Sequence, residues 1–450
     1  MIQQMKSRRN VRAVSHLSPM MSVVRFTVIF SVIAALFTAL LFSYWAFGFV
    51  LLLVGASYIA LGGYAVGTSL SRSPTIRPMC TTTTFNIVVC VIALLGLVAM
   101  FYDRTSLRGI DYANLGMAGA RAQFNSAGER GGVISILGNL FSAAFYLPLI
   151  NLIFDWERWD RGRFAVLALV LVGVLGLTYV TGGRTVLLIA VAIAAAAMLG
   201  RGVLGMRRLP RFLSTTSLVA CLVAVAGVFG TVFALRASAF GVSSGATYVS
   251  QLCFHLAQPT TEITGRCSTI AYASGFQVID EILNYGMSVL LYTFHVAWVG
   301  ESVFTTINPG AFTSFEGPQA MFLGRFGFEI VATDYDGYFV PAAASLVFDF
   351  GFLEMALGFI ILGLLAGLFQ TRMLAGNFLF GRVAFCFSAA GLLICVMISP
   401  LNLPVMLLAI MAITAIIAAT YFARLIGLIP SGSFIRHLRR GPDHTPQAPR

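Results

Sequence analysis

Arginine carries nearly all the positive charge of this 450-residue chain: lysine occurs once, at Lys6, so 28 of the 29 basic residues are arginines. One of them interrupts an apolar stretch. In TYVTGGRTVLL (178–188), Arg184 follows Gly182 and Gly183 and precedes a second apolar run. The two glycines permit a tight turn and close backbone approach. A helix beginning at Thr185 would present unpaired N–H groups and the positive end of its dipole. Arg184 beside them completes an anion site, and its planar fork suits phosphate oxygens. The plain alternative is a hairpin turn with a solvated arginine.

Proton transfer needs a different set of residues. Asp334 and Asp336 stand in ATDYDGYF, His255 in QLCFHLAQP and His295 in YTFHVAW. A carboxylate or imidazole near the arginines could serve as general base toward a hydroxyl. Asp336, close in sequence to Arg325 and Tyr338, and His255 are the candidates. Asp-x-Asp also occurs in metal- and nucleotide-dependent sugar transferases, but here the match stands alone. No CxxC-type ligand spacing, Walker A loop or GxSxG elbow occurs among the seven cysteines and the rest of the chain, so neither metal nor cofactor is expected. Cys253 and Cys267 share one loop, and an oxidising compartment would permit a disulfide between them.

What must position these residues is a membrane. The chain is 58% hydrophobic and only 10% charged, with mean hydropathy +0.88; a soluble protein could not hide that much apolar surface. A spanning helix takes about 20 apolar residues. Ten such runs are read: roughly 26–44, 48–67, 85–102, 133–154, 164–181, 185–200, 214–235, 344–369, 383–399 and 405–426. The expected fold is an all-α polytopic bundle. Residues 1–25 form a basic N-terminus, 26–429 a single transmembrane domain and 430–450 a polar, disordered tail. An even number of spans puts both termini on one side, and the positive-inside bias makes that side cytoplasmic, holding 21 of the 29 basic residues. The net charge of +12 therefore reflects topology, and no nucleic-acid partner is expected.

Two segments on the outer side are long, about 103–132 and 236–343, and long loops are usually functional. Eight arginines remain outside against the bias: Arg104, Arg108, Arg121, Arg130, Arg184, Arg236, Arg266 and Arg325. Together they suggest an anionic ligand at the membrane surface, such as a phosphate or diphosphate. Within the larger loop, 278–301 is amphipathic at helical spacing. Val278, Ile279, Ile282, Leu283, Leu290 and Trp298 fall on one side; Asp280, Asn284, Ser288, Tyr292 and His295 fall on the other. This predicts a helix in the interface or across the bundle mouth, its polar stripe able to line a cavity; an extra buried span is the rival reading. Glu354 is expected about two turns inside span eight, where a charge is costly.

Several segments carry a resemblance. ANLGMAGARAQFNSAGERGG, LTYVTGGRTVLL and ATDYDGYFVPAAASLVFDFGFLEMALGFIILGLLAG, with the large outer loop between them, resemble the Wzy-type O-antigen and exopolysaccharide repeat-unit polymerases, relatives of the O-antigen ligases. Arg121 and Gly132 match an R-x10-G pattern of such polymerases; a second copy is missing, since Thr247, Gln277 and Asp336 stand at that distance from Arg236, Arg266 and Arg325. The resemblance implies a glycosyltransferase of the bacterial inner membrane, active on the periplasmic face without metal. Its substrate would be an undecaprenyl-diphosphate-linked oligosaccharide, with membrane lipid, a chain-length regulator and a flippase as partners. Asp336, His255 and Arg184 would be catalytic; Arg121, Arg236, Arg266, Arg325, Tyr338 and His295 would bind substrate. An O-antigen ligase and a lipid-linked sugar transporter are the alternatives.

Overall fold

The computed structural model describes residues 17–70, 82–112, 133–157, 160–181, 185–206, 244–305, 338–375 and 378–426. It also describes 114–115, 119–120, 123, 183, 227, 234, 237, 242, 313–315, 317–319 and 335. Among these the regular structure is helical throughout. The helices are α1 (Ser18–Phe42), α2 (Phe47–Leu70), α3 (Thr83–Tyr102), α4 (Val133–Ser142), α5 (Tyr146–Asp155), α6 (Arg161–Thr181) and α7 (Thr185–Val203). There follow α8 (Gly245–Ala257), α9 (Gln277–Phe294), α10 (Val296–Thr305), α11 (Ala342–Phe350), α12 (Phe352–Leu374), α13 (Phe378–Ile394) and α14 (Pro404–Leu425). Nine helical stretches among the described residues are long and apolar enough to cross a membrane, counting α4–α5 and α9–α10 as one each. The expected span 214–235 lies almost entirely outside the described residues.

The helices bury two apolar cores. One gathers side chains of α3 to α7, α13 and α14. The other gathers α1, α2, α8, α10, α11 and α12. The closest packing in the molecule joins α2 to α12. Gly63 and Gly67, in GYAVG, lie against the backbone of Ile360 and Leu364; Gly363 and Gly367, in GLLAG, lie against that of Ala60 and Tyr64. A Cβ at any of these four glycines would meet backbone within 3.0 Å. Two GxxxG faces thus let the helix backbones touch, the way helices associate where lipid removes the hydrophobic drive. Tyr64 hydrogen-bonds Gln370 across the same seam. Between α3 and α5, Asn151 Nδ2 donates to Asn86 Oδ1 at 2.8 Å, a second link of the kind used between membrane helices.

Three expectations change. The eighth span is two helices: Gly351, at φ 104°, separates α11 from α12, a left-handed backbone that a side chain would strain. The break moves Glu354 from the helix interior to the exposed first turn of α12, where a carboxylate favours the helix dipole. The amphipathic helix also faces the other way from a surface helix. Val278 is 72% exposed and Ile282 65%, while Asn284 is 1% and Ser288 0% exposed. Asn284 and Ser288 of its polar stripe meet protein, while Val278, Ile279 and Ile282 look outward and Leu291 is buried. Trp298 departs from that outward face and is fully buried; it lies in α10, beyond the break at His295.

The segment between α7 and α11 is tied down by specific bonds. Glu301 in α10 accepts the N–H groups of Gly48 and Phe49 at 3.2 and 2.6 Å, satisfying donors in the first turn of α2. Cys253 and Cys267 are disulfide-bonded with Cα atoms 5.4 Å apart, pinning the end of α8 to the turn that follows it. Asp349 is buried and accepts from Thr313 N, Thr313 Oγ1 and Ser314 N at 2.6–2.8 Å. That carboxylate fixes the turn at 313–315 against α11.

Candidate functional site

Where the two cores meet there is a cleft of about 210 Å³. Tyr338 belongs to one core, Ile398 and Leu403 to the other, and Phe339 packs against both. Thr185 lines the cleft from the first residue of α7, and Asn402 and Pro404 line it from the turn before α14. The TGGRT turn is as short as its sequence suggests: α6 ends at Thr181 and α7 begins at Thr185. Thr181 Oγ1 donates to Leu177 O at 2.7 Å and accepts Gly183 N–H at 3.3 Å, so the turn is held by its own threonine. The prolines of SPLNLP make a single 3-10 turn, Pro400–Asn402, before Pro404 opens α14; Pro at a helix start costs no hydrogen bond.

Tyr338 is held from α8. Its hydroxyl lies 2.7 Å from His255 O and 3.1 Å from Gln258 Oε1. The ring of His255 stacks on that of Tyr338 with centroids 5.5 Å apart, and His255 itself is exposed. Burial pushes the Tyr338 phenol above the ordinary tyrosine value, which keeps it a hydroxyl donor. The disulfide at Cys253 braces the same helix end.

His295 sits one layer behind. It is buried, its Nδ1 lies 2.8 Å from Tyr292 O, and its Nε2 accepts Phe339 N–H at 3.3 Å. That pattern assigns the proton to Nδ1. Both ring nitrogens are spent on backbone, so His295 positions Phe339 at the cleft wall. Arg266 is elsewhere: its Nη1 donates to Ser43 Oγ at 3.0 Å, at the end of α1. Arg104 is buried, bonded to Tyr112 and to Val180 O near the end of α6. Arg108 pairs with Asp103 at 2.9 Å. Arg121, Arg130, Arg184, Arg236, Arg325, Asp334 and Asp336 lie outside the described residues.

The structure therefore brings together Thr185 of TGGRT, Tyr338 of ATDYDGYF and His255 of QLCFHLAQP, and leaves Arg266 apart. Phe339, Gln258 and Asn402 were not singled out in the sequence. The two prolines flanking Asn402 marked a turn, but nothing local says that a turn between the last two helices faces the sixth and seventh. Chemically, the cleft offers a hydroxyl, a carboxamide, an aromatic edge and apolar walls, with an imidazole stacked behind the tyrosine.

Fold and cleft define a multi-pass α-helical membrane protein with one polar-edged cleft at the junction of its cores. No protein-family model, curated protein or solved structure matches the chain.

Proposed function

We infer that the protein is a glycosyltransferase that polymerises undecaprenyl-diphosphate-linked oligosaccharide repeat units at the periplasmic face of the bacterial inner membrane. The observation that carries this reading is the convergence on one cleft. The helix start behind TGGRT, the tyrosine of ATDYDGYF and, through that tyrosine, the end of QLCFHLAQP meet there. These are the segments that carry the arginine, the carboxylate and the imidazole.

In the proposed reaction a hydroxyl of the incoming lipid-linked unit attacks the anomeric carbon of the growing chain. The bond from that carbon to the lipid diphosphate breaks, and the hydroxyl proton passes to Asp336 or His255. Negative charge gathers on the leaving diphosphate, where Arg184 and the first N–H groups of α7 stabilise it. Such preorganised donors act on charge as it develops and are often the largest catalytic contribution.

Deleting the gene and resolving the surface polysaccharide on a gel tests the reading. A polymerase deletion leaves core bearing one repeat unit. Polymer retained on the lipid carrier would indicate the ligase, loss of both would indicate a flippase, and an unchanged ladder would remove the proposal.

A further inference from the structure

We propose that the cleft is a subsite for one neutral sugar ring and that Asn402 is the residue that reads it. The proposal rests on the polymerase reading and adds where a ring of the repeat unit sits. Size comes first. Sites for drug-sized ligands run to about 300–1,000 Å³, whereas this cleft measures about 210 Å³. That is the scale of a single ring.

The lining has the double character of a pyranose. Phe339, Ile398, Leu403 and Pro404 give apolar surface for the C–H face of a sugar. Thr185 and Asn402 give polar groups for its hydroxyls. No charged side chain lines the cleft among the described residues, and an uncharged ring needs none on these walls.

Asn402 is set to donate. Its Oδ1 accepts Gly317 N–H at 2.6 Å. That bond fixes which end of the carboxamide is oxygen and leaves the NH₂, with two donors, as the edge available to a ligand. A donor held rigidly by a second bond discriminates among hydroxyl configurations, because an analogue that cannot meet it leaves a polar group unpaired.

The same geometry supplies a clean variant. Asn402→Asp keeps an oxygen for Gly317 N–H, removes both donors and adds a negative charge that an uncharged ring has nothing to meet. Thr185→Val removes a second polar group from another helix without touching that bond. The full chain in detergent micelles is examined by saturation-transfer NMR against glucose, galactose, mannose, rhamnose and N-acetylglucosamine separately, with thermal unfolding as the fold control. At least one of these sugars gives a signal with the unaltered protein, and each variant weakens it roughly five- to tenfold, as loss of one neutral hydrogen bond should. The subsite is overturned if none of the five sugars gives a signal, or if the signal is the same in both variants. The deletion gel is independent: an unchanged ladder removes the polymerase reading while the NMR still decides whether a sugar binds.

Discussion

His255 and His295 look alike in the sequence and differ in what surrounds them. His295 has both nitrogens bonded to backbone and no capacity left for a substrate. His255 is exposed beside Tyr338, so only its imidazole is open to a proton. Nothing local in the chain separates them, because the partners of His295 are main-chain groups, which carry no signature of residue type. The short turn of TGGRT was legible for the opposite reason: two glycines and a helix start coincide within five residues. Arg184→Ala should abolish polymer while the protein still inserts, and Arg184→Lys, which keeps the charge but loses the fork, should retain part of the activity. Normal polymer from the alanine variant at normal expression would reduce TGGRT to a turn. Tyr44 makes a pH prediction. Burial, then the charges of Glu301 and Glu262, push its phenol up to about 12. The stabilisation held by such a raised group is complete below the unfolded value of about 10 and is lost as pH rises through about 12. Thermal unfolding between pH 8 and 12 should therefore fall off less steeply for Tyr44→Phe than for the unaltered protein; parallel curves would count against it.

Among the elements, the helices read directly from hydropathy were found close to their expected limits, since about 20 apolar residues leave few alternatives. The one misread was broken, the eighth span; the amphipathic helix formed as expected, and what stayed open was how it packs. The helix at 277–294 has the periodicity of a surface helix, but periodicity does not say which side meets the protein. The break at Gly351 is one glycine in an apolar run that contains several. Glycine seams are similarly ambiguous, and Gly62 and Gly63 test this well. A Cβ at Gly62 meets nothing within 4 Å, whereas one at Gly63 meets the backbone of Ile360. Gly62→Ala should be neutral and Gly63→Ala should destabilise by about 1–3 kcal/mol, the usual cost of overpacking, as read from the unfolding midpoint of the purified protein. Equal midpoints would mean that α2 and α12 do not touch there. The Cys253–Cys267 bond closes a loop of 14 positions, worth about 3 kcal/mol in the chain-entropy model. Mass spectrometry of the non-reduced, alkylated protein should find the two cysteines cross-linked. Alkylation of both without prior reduction would contradict it.

At the scale of the whole molecule, sequence and structure agree on class: helical, apolar and multi-pass. What the sequence could not supply is which helices are neighbours. The cleft depends on that arrangement, because its walls come from residues 185, 317, 338–339, 398 and 402–405, with Phe339 packed against both cores. The tyrosine and the histidine could be nominated one by one, but their meeting place beside the start of α7 could not.

The bond from Glu301 to the start of α2 has a consequence in time. Gly48 and Glu301 are 253 positions apart, and at about 5–20 residues per second the ribosome needs on the order of 10–50 s to make the chain between them. The partner of the Gly63–Gly67 face is later still, since α12 begins at Phe352. Helix α2 thus emerges with its first turn uncapped and its glycine seam bare, and must wait for the second half of the chain. During that interval the bare seam is open to the wrong helix, including the same helix of another nascent copy. A chaperone or insertase that shields it would do so for tens of seconds, and slowing translation beyond residue 70 should lengthen that exposure.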